Sequence, residues 1–147
     1  MRILISISVL IWCLVISCSK EEILDNSPAI EFRSISDEIV VSFDNQVSIT
    51  IDYQDINGDI GYQDPDIYSL RVKDARLQEY DWYHIPPITP EQQELQVEGT
   101  FSVNLNSLFL LGNSDQEVTS FTIQLKDREG NWSNQIVSPE ILITDSL

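Results

Sequence analysis

Apolar and polar residues alternate one by one along most of the chain after residue 29. The alternation is clearest in segments 30–33, 47–54, 101–105 and 121–126. A period of two places one face of a β-strand in the core and the other face in solvent. No segment keeps the period of an α-helix for three turns. The pattern therefore predicts an all-β protein.

Clusters of Asp, Asn, Gly and Pro separate about eight such segments at spacings near ten residues, as is typical of an antiparallel sandwich. We therefore expect a single immunoglobulin-like β-sandwich of about 7–9 strands in residues 29–147, with a small closed barrel as the competing architecture. That length supports one hydrophobic core and is too short for two. Trp132, beside a predicted turn, is interpreted as a plug in the core or at a corner of the sandwich.

Residues 1–17 have the pattern of an export signal. Met1 and Arg2 give a positive start, and the apolar run of about fourteen residues that follows is too short to span roughly 30 Å of hydrocarbon. The segment 15–17, Val-Ile-Ser, stands directly before Cys18 and resembles a bacterial lipobox. That resemblance implies that Cys18 becomes an acylated N-terminus. Several buried acyl chains, at roughly 0.8 kcal/mol per CH₂, hold a protein durably on a lipid bilayer.

Residues 18–28 are predicted to form the lipidated N-terminus and an acidic tether that ends at Pro28. The segment 19–22, Ser-Lys-Glu-Glu, resembles the signal that sends lipoproteins of the Bacteroidota type across the outer membrane. A solvated charged tether is the alternative interpretation. The predicted location is the outer membrane, with the protein lipid-anchored and facing the cell exterior.

The composition narrows the partners that this domain can have. The chain has two cysteines, Cys13 and Cys18, so residues 29–147 contain none for a disulfide or for thiolate chemistry. There are 8 Lys and Arg against 24 Asp and Glu, which gives a formal net charge of −16. This excess argues against nucleic acid binding and against adhesion to anionic membrane surfaces. It suits divalent cations or basic partners.

Two short sequence motifs stand out along the chain. They are Asn-Gly-Asp-Ile-Gly at residues 57–61 and Asp-Arg-Glu-Gly-Asn-Trp-Ser-Asn at residues 127–134. Together they resemble the D-x-x-G-D-I-G loop and the D-R-x-G-N-x-S-N motif of small, uncharacterised β-sandwich lipoproteins of the Bacteroidota type. With the lipobox, the resemblance covers most of the chain at the level of motifs. It implies a fold and a location in the cell envelope more than an activity.

The first motif also has the spacing of a calcium-binding loop. Asp55, Asn57 and Asp59 fall at positions 1, 3 and 5 of a helix-loop-helix calcium site, with Asp66 at position 12 and the Gly61 carbonyl available at position 7. Position 6 lacks the usual glycine, and no helices flank the loop. The alternative is a solvated hairpin turn, because Asn-Gly tolerates positive φ angles.

A third stretch carries a run of aromatic residues. In a strand, Tyr80, Trp82 and His84 would share one face, and the segment 86–87, Pro-Pro, would end the strand. An exposed pair formed by Tyr80 and Trp82 is a candidate glycan-binding platform. The alternative is that this aromatic face is buried in the core.

Sequence motifs of catalysis are missing: the chain has one histidine and no nucleophile-elbow, zinc-protease or phosphate-binding-loop pattern. The sequence therefore predicts a non-enzymatic lipoprotein that serves as a binding or structural module of the cell envelope. Its expected partners are the bilayer, through acylated Cys18, and envelope proteins or glycans. A glycan-binding accessory of a nutrient-uptake system is the second hypothesis, and a small hydrolase is the third.

Overall fold

The structure is a computed structural model that describes residues 26–44, 46–90 and 93–146. The predicted signal segment, Cys18 and most of the tether lie outside these residues. Within the described ranges, no helix is long and apolar enough to cross a bilayer.

Ten β-strands and no helix form the described part of the chain, which confirms the all-β prediction. Three of the strands have only two or three residues, too few for an alternating pattern to be recognised, so the structure has more strands than expected. In chain order they are β1 (Ala29–Ile35), β2 (Ile39–Val41), β3 (Ser48–Asp55), β4 (Leu70–Asp74), β5 (Asp81–Tyr83), β6 (Val97–Asn104), β7 (Gln116–Thr119), β8 (Phe121–Leu125), β9 (Ile136–Val137) and β10 (Ile141–Thr144).

The strands pair in three sheets, with the orders β1-β3-β6, β5-β4-β8-β9 and β2-β10-β7. All pairs are antiparallel except β2 with β10, which are parallel. The sheets do not close into a barrel. The fold is therefore sandwich-like, and the competing barrel prediction is wrong.

The core is built from the inward-facing positions of these strands. In β4 and β8 the alternation is strict, with every second residue buried. Burial of such side chains contributes roughly 1.5–3 kcal/mol each and is the main source of stability in a domain without disulfides. The buried apolar residues are Ile30, Val40, Val47, Ile49, Ile51, Ile60, Leu70, Val72, Ile85, Val103, Leu105, Leu108, Phe121, Ile123, Leu125, Ile141 and Ile143. Trp132 is half-buried and is not among them, so it does not fill the core, and its position at a corner of the sandwich stays a prediction.

A buried ion network joins two of the sheets. Arg76, just after β4, bonds to Asp74 at 2.7 Å and to Glu117 of β7 at 2.7 Å. It also donates to the Phe109 carbonyl at 2.8 Å. Burial alone would raise the pKa of Asp74, but hydrogen bonds from Arg76 and Thr119 outweigh it and hold this pKa below its ordinary value.

We predict that Arg76→Leu lowers the free energy of unfolding by about 2–4 kcal/mol, because it leaves the buried Asp74 carboxylate without a counter-ion. Urea unfolding of the full chain in mild detergent measures the change. Arg33→Leu is the control, since it removes a solvent-exposed pair with Asp52, and its effect should be much smaller. Equal effects of the two substitutions would contradict the prediction.

Candidate functional site: the acidic loop and the aromatic-cationic face

The acidic loop, residues 55–61, continues β3 and runs beside the late loop, residues 127–131. Ile60 and Asp127 form an antiparallel bridge that holds the two loops together. Gly58 and Gly61 have φ angles of 66° and 84°. A Cβ atom would come within 2.1 Å of the Leu95 carbonyl oxygen at the first position and within 2.2 Å of the Pro86 carbonyl oxygen at the second. Only glycine fits this path.

Two carboxylates of the acidic loop are buried side by side. Asp55 is 1% exposed and Asp59 is 9% exposed. The Asp59 N–H donates to Asp55 Oδ2 at 3.0 Å, and the Glu129 N–H donates to Asp59 Oδ2 at 3.1 Å. The Arg128 N–H donates to the Asp59 carbonyl at 3.0 Å. One oxygen of each carboxylate is thus satisfied by the backbone, and Asp59 ties the two loops together.

The remaining side-chain oxygens of this loop have no partner. Oδ1 of Asp55, of Asn57 and of Asp59 is buried and accepts no hydrogen bond. Neither carboxylate forms an ion pair with a cationic side chain in the described ranges. The nearby Arg128 guanidinium donates instead to the Gly61 carbonyl at 3.1 Å and to Thr89 Oγ1 at 3.3 Å. Such unsatisfied buried acceptors are costly and rare in folded proteins.

This environment changes the acidity of Asp55. Burial first, and then repulsion by the charge of Asp59, raise its pKa from 3.8 to about 6. Asp127 is buried as well, but both of its oxygens accept hydrogen bonds from Asn131, at 2.7 and 2.9 Å. Of these three buried aspartates, only Asp55 and Asp59 therefore keep an oxygen without a hydrogen-bond partner.

A cavity of about 220 Å³ opens beside the pair. It is lined by Asn57, Asp59, Gln93, Glu94, Arg128 and Glu129. Five of these six side chains carry oxygen atoms, and Asp59 is the member of the buried pair that lines the cavity.

Asp66 does not join the other three residues of the predicted calcium loop. It is exposed, and its N–H donates to Asp64 Oδ1 at 3.0 Å in a local turn. The Gly61 carbonyl already accepts from Arg128. Within the described residues, no three His, Cys, Asp or Glu side chains form a metal-binding group. The twelve-residue arrangement is therefore not formed, because the chain after Gly61 leaves the loop instead of closing around it.

A second candidate site lies on the outer surface of sheet β5-β4-β8-β9. We define the aromatic-cationic face by the side chains of Arg71, Lys73, Tyr80, Trp82, Lys126 and Trp132. Strand pairing creates it, since Arg71 is opposite Trp82 and Lys126 is opposite Trp132. The Arg71 guanidinium lies 4.1 Å from the Trp132 ring centroid and 4.7 Å from that of Tyr80.

The aromatic rings of this face touch one another and reach solvent. Ring centroids are 6.5 Å apart for Tyr80 and Trp82 and 6.1 Å apart for Trp82 and Trp132. Trp82 is 46% exposed, and Tyr80 is half-buried outside the core. Lys73 and Lys126 lie 5.7 and 5.6 Å from the rings of Tyr80 and Trp132. The alternative of a buried aromatic face is wrong.

The cations of this face are not neutralised by acids. In the described ranges, Arg71, Lys73 and Lys126 form no ion pair. The other outward positions of β8, Thr122 and Gln124, are uncharged. Alternating Arg and Lys in β4 was a visible signal, but the sequence alone does not show which strands lie beside β4.

His84 belongs to neither site. Its Nδ1 lies 3.0 Å from the Ile67 carbonyl oxygen. It lines a cleft of about 420 Å³ whose described lining contains hydroxyl, aromatic and aliphatic side chains and no carboxylate. A general acid-base pair therefore has no support in this cleft.

The chain matches no protein-family model, no curated protein and no solved structure in comparisons with known proteins.

We predict that acidification stabilises the protein in the presence of a chelator. The pKa of Asp55 is about 6 in the folded state and ordinarily 3.8. The folded state thus holds this proton more tightly, and stability rises as the pH falls through 6 and levels off near 4. The expected gain in the free energy of unfolding is roughly 1–3 kcal/mol between about pH 7.5 and pH 5.

Urea unfolding of the full chain at these pH values measures this gain, and Asp55→Asn should abolish it. The lowered pKa of Asp74 acts in the opposite direction but only near or below 3.8, outside this range. Constant or decreasing stability on acidification would contradict the prediction.

Proposed function

We propose that this protein is a lipid-anchored lipoprotein of the outer membrane, of the Bacteroidota type, that acts as a non-catalytic binding module facing the cell exterior. We further propose that the aromatic-cationic face is its ligand-binding surface and that the ligand is a glycan carrying acidic groups.

The observation that carries this proposal is the juxtaposition, on one sheet face, of three aromatic rings and three cations that form no ion pair in the described chain. Arg71 also donates a hydrogen bond to Gln124. Flat rings provide the apolar faces on which sugar rings stack. Arg71 and the two lysines supply donors and positive charge for carboxylate or sulfate groups. A neutral sugar would stack on the rings but would form no ion pair with the cations, so an acidic glycan is the better match.

The net charge of −16 does not argue against this ligand. Dissolved salt screens the interaction between exposed charges that are farther apart than a Debye length, about 8 Å at physiological ionic strength. A polyanion at the face therefore responds mainly to Arg71, Lys73 and Lys126, while the acidic remainder of the surface repels it. The result is binding restricted to one face.

The proposed location rests on the N-terminal sequence. A positive start, a short apolar run and Cys18 in lipobox context support acylation, and the segment 19–22 supports export to the surface. A purely structural role in the envelope is the alternative. A hydrolase is a weaker candidate, because the cleft lined by His84 offers no described carboxylate.

We predict that the full chain in mild detergent is retained on an immobilised acidic polysaccharide, such as a polyuronate, and not on a neutral glucan. Trp82→Ala should weaken retention at least tenfold, since stacking and the adjacent cations act together. Phe43→Ala is the matched control, because Phe43 is a 71% exposed ring that stacks on Phe109 away from this face. Equal retention of both variants and the unmodified chain would overturn the glycan proposal.

We predict that the native product starts at an acylated Cys18 and enters the detergent phase in detergent phase separation. Cys18→Ala should leave an unacylated chain in the aqueous phase, because the diacylglyceryl group is attached through the thiol. Intact mass of both proteins measures processing and acylation. An unprocessed, water-soluble native product would refute lipid anchoring without bearing on the glycan site.

A further inference from the structure

We propose that the acidic loop binds a hard divalent cation, calcium, through Oδ1 of Asp55, Asn57 and Asp59, and that this ion fastens the acidic loop to the late loop.

The first support is that these three side-chain oxygens all lack a hydrogen-bond partner. Five buried side-chain polar atoms lack a partner in the described part of the chain, and three of them belong to these alternate residues. All three are acceptors, and the N–H groups of Asp59 and Glu129 donate to the other carboxylate oxygens of the pair. A water molecule donates at most two hydrogen bonds, whereas one cation coordinates several oxygen atoms at once.

The second support is uncompensated charge. Asp55 and Asp59 are both more than nine-tenths buried, and the nearest guanidinium, that of Arg128, is engaged by Gly61 and Thr89. Elsewhere the protein compensates a buried carboxylate: Asp74 has Arg76, and Asp127 has the two donors of Asn131. A bound divalent cation compensates the charges of Asp55 and Asp59, as Arg76 compensates that of Asp74.

The donor set selects the kind of ion. Carboxylate and amide oxygens suit hard cations, whereas zinc and copper favour imidazole or thiolate, which this loop does not offer. Calcium accepts six to eight oxygens at about 2.3–2.6 Å in irregular geometry, while magnesium demands a near-ideal octahedron. Water entering from the cavity, and the Glu94 or Glu129 carboxylates that line it, can complete the shell.

The position of Asp59 gives the ion its structural effect. Asp59 accepts from Glu129 through its side chain and from Arg128 through its carbonyl. An ion held by Asp59 therefore immobilises the late loop as well as the acidic loop. This role is independent of the glycan and of the lipid anchor.

Calorimetric titration and thermal unfolding of the chelator-treated full chain in mild detergent test the proposal. Calcium should bind with one site per chain and a dissociation constant below about 1 mM, the weak end for extracellular sites. At a hundredfold excess over that constant it should raise Tm by about 5 °C or more. Magnesium and sodium at matched ionic strength should raise Tm by less than a third as much.

Three isosteric variants separate a metal site from a merely structural loop. Asp55→Asn should raise Tm in chelator, because a buried charge is removed, and should weaken calcium binding at least tenfold. Asn57→Asp should do the reverse, lowering Tm in chelator and tightening calcium binding. Asp66→Asn is the control, since this exposed residue lies outside the proposed site, and it should change neither quantity.

The proposal is overturned if calcium leaves Tm and the titration unchanged in the unmodified chain, which would mean that a shared proton or water alone occupies the loop. Loss of calcium binding in Asp66→Asn, or an equal response to magnesium, would also overturn it. Opposite shifts in the variants at positions 55 and 57, with an unaffected control, support it.

Discussion

Branched aliphatic side chains on the inner faces of β3, β4, β8 and β10 pack against one another between the sheets, and no disulfide shares that task in residues 29–147. Strict alternation forces every intervening residue outward. Arg71 and Lys73 lie on the outer face of their sheet, half-buried, because Leu70 and Val72 occupy the inward positions of the same strand. The same packing holds the end of β3 inside the fold, so the acidic loop begins from a buried position. Both candidate sites are therefore consequences of how this core is filled.

Buried carboxylates are handled in three different ways in this molecule. Asp74 is neutralised by a guanidinium, and Asp127 is satisfied by two hydrogen bonds from one asparagine. Asp55 and Asp59 receive backbone hydrogen bonds on one oxygen each and keep the other oxygen unpaired. The first two arrangements stabilise the fold without outside help. The third leaves one oxygen of each carboxylate without a partner in the described chain, and it is there that we propose a calcium ion.

The sequence predicted the features that depend on local order. Alternation identified the longer strands, and glycine at 58 and 61 marked turns that do require positive φ. Predictions from the sequence were wrong where segments that are distant in the chain meet in the fold. Spacing placed Asp66 in the calcium loop, but the chain turns away after Gly61, and the late loop takes the neighbouring place. The contacts of Trp132 with Arg71 and Trp82 could not be predicted for the same reason: they depend on the order of strands in the sheet, which no local pattern encodes.

The parallel pairing of β2 with β10 has a consequence for biogenesis. β10 is the middle strand of its sheet and pairs with β2, which lies about a hundred residues earlier in the chain. Closing so long a loop is entropically slow, and topologies dominated by distant pairings fold on the millisecond-to-second scale. This sheet cannot assemble until residues 141–144 are free to join it. During synthesis from the N-terminus, β2 and β7 thus stay unpaired in this sheet until residue 144 has been made and is free to pair.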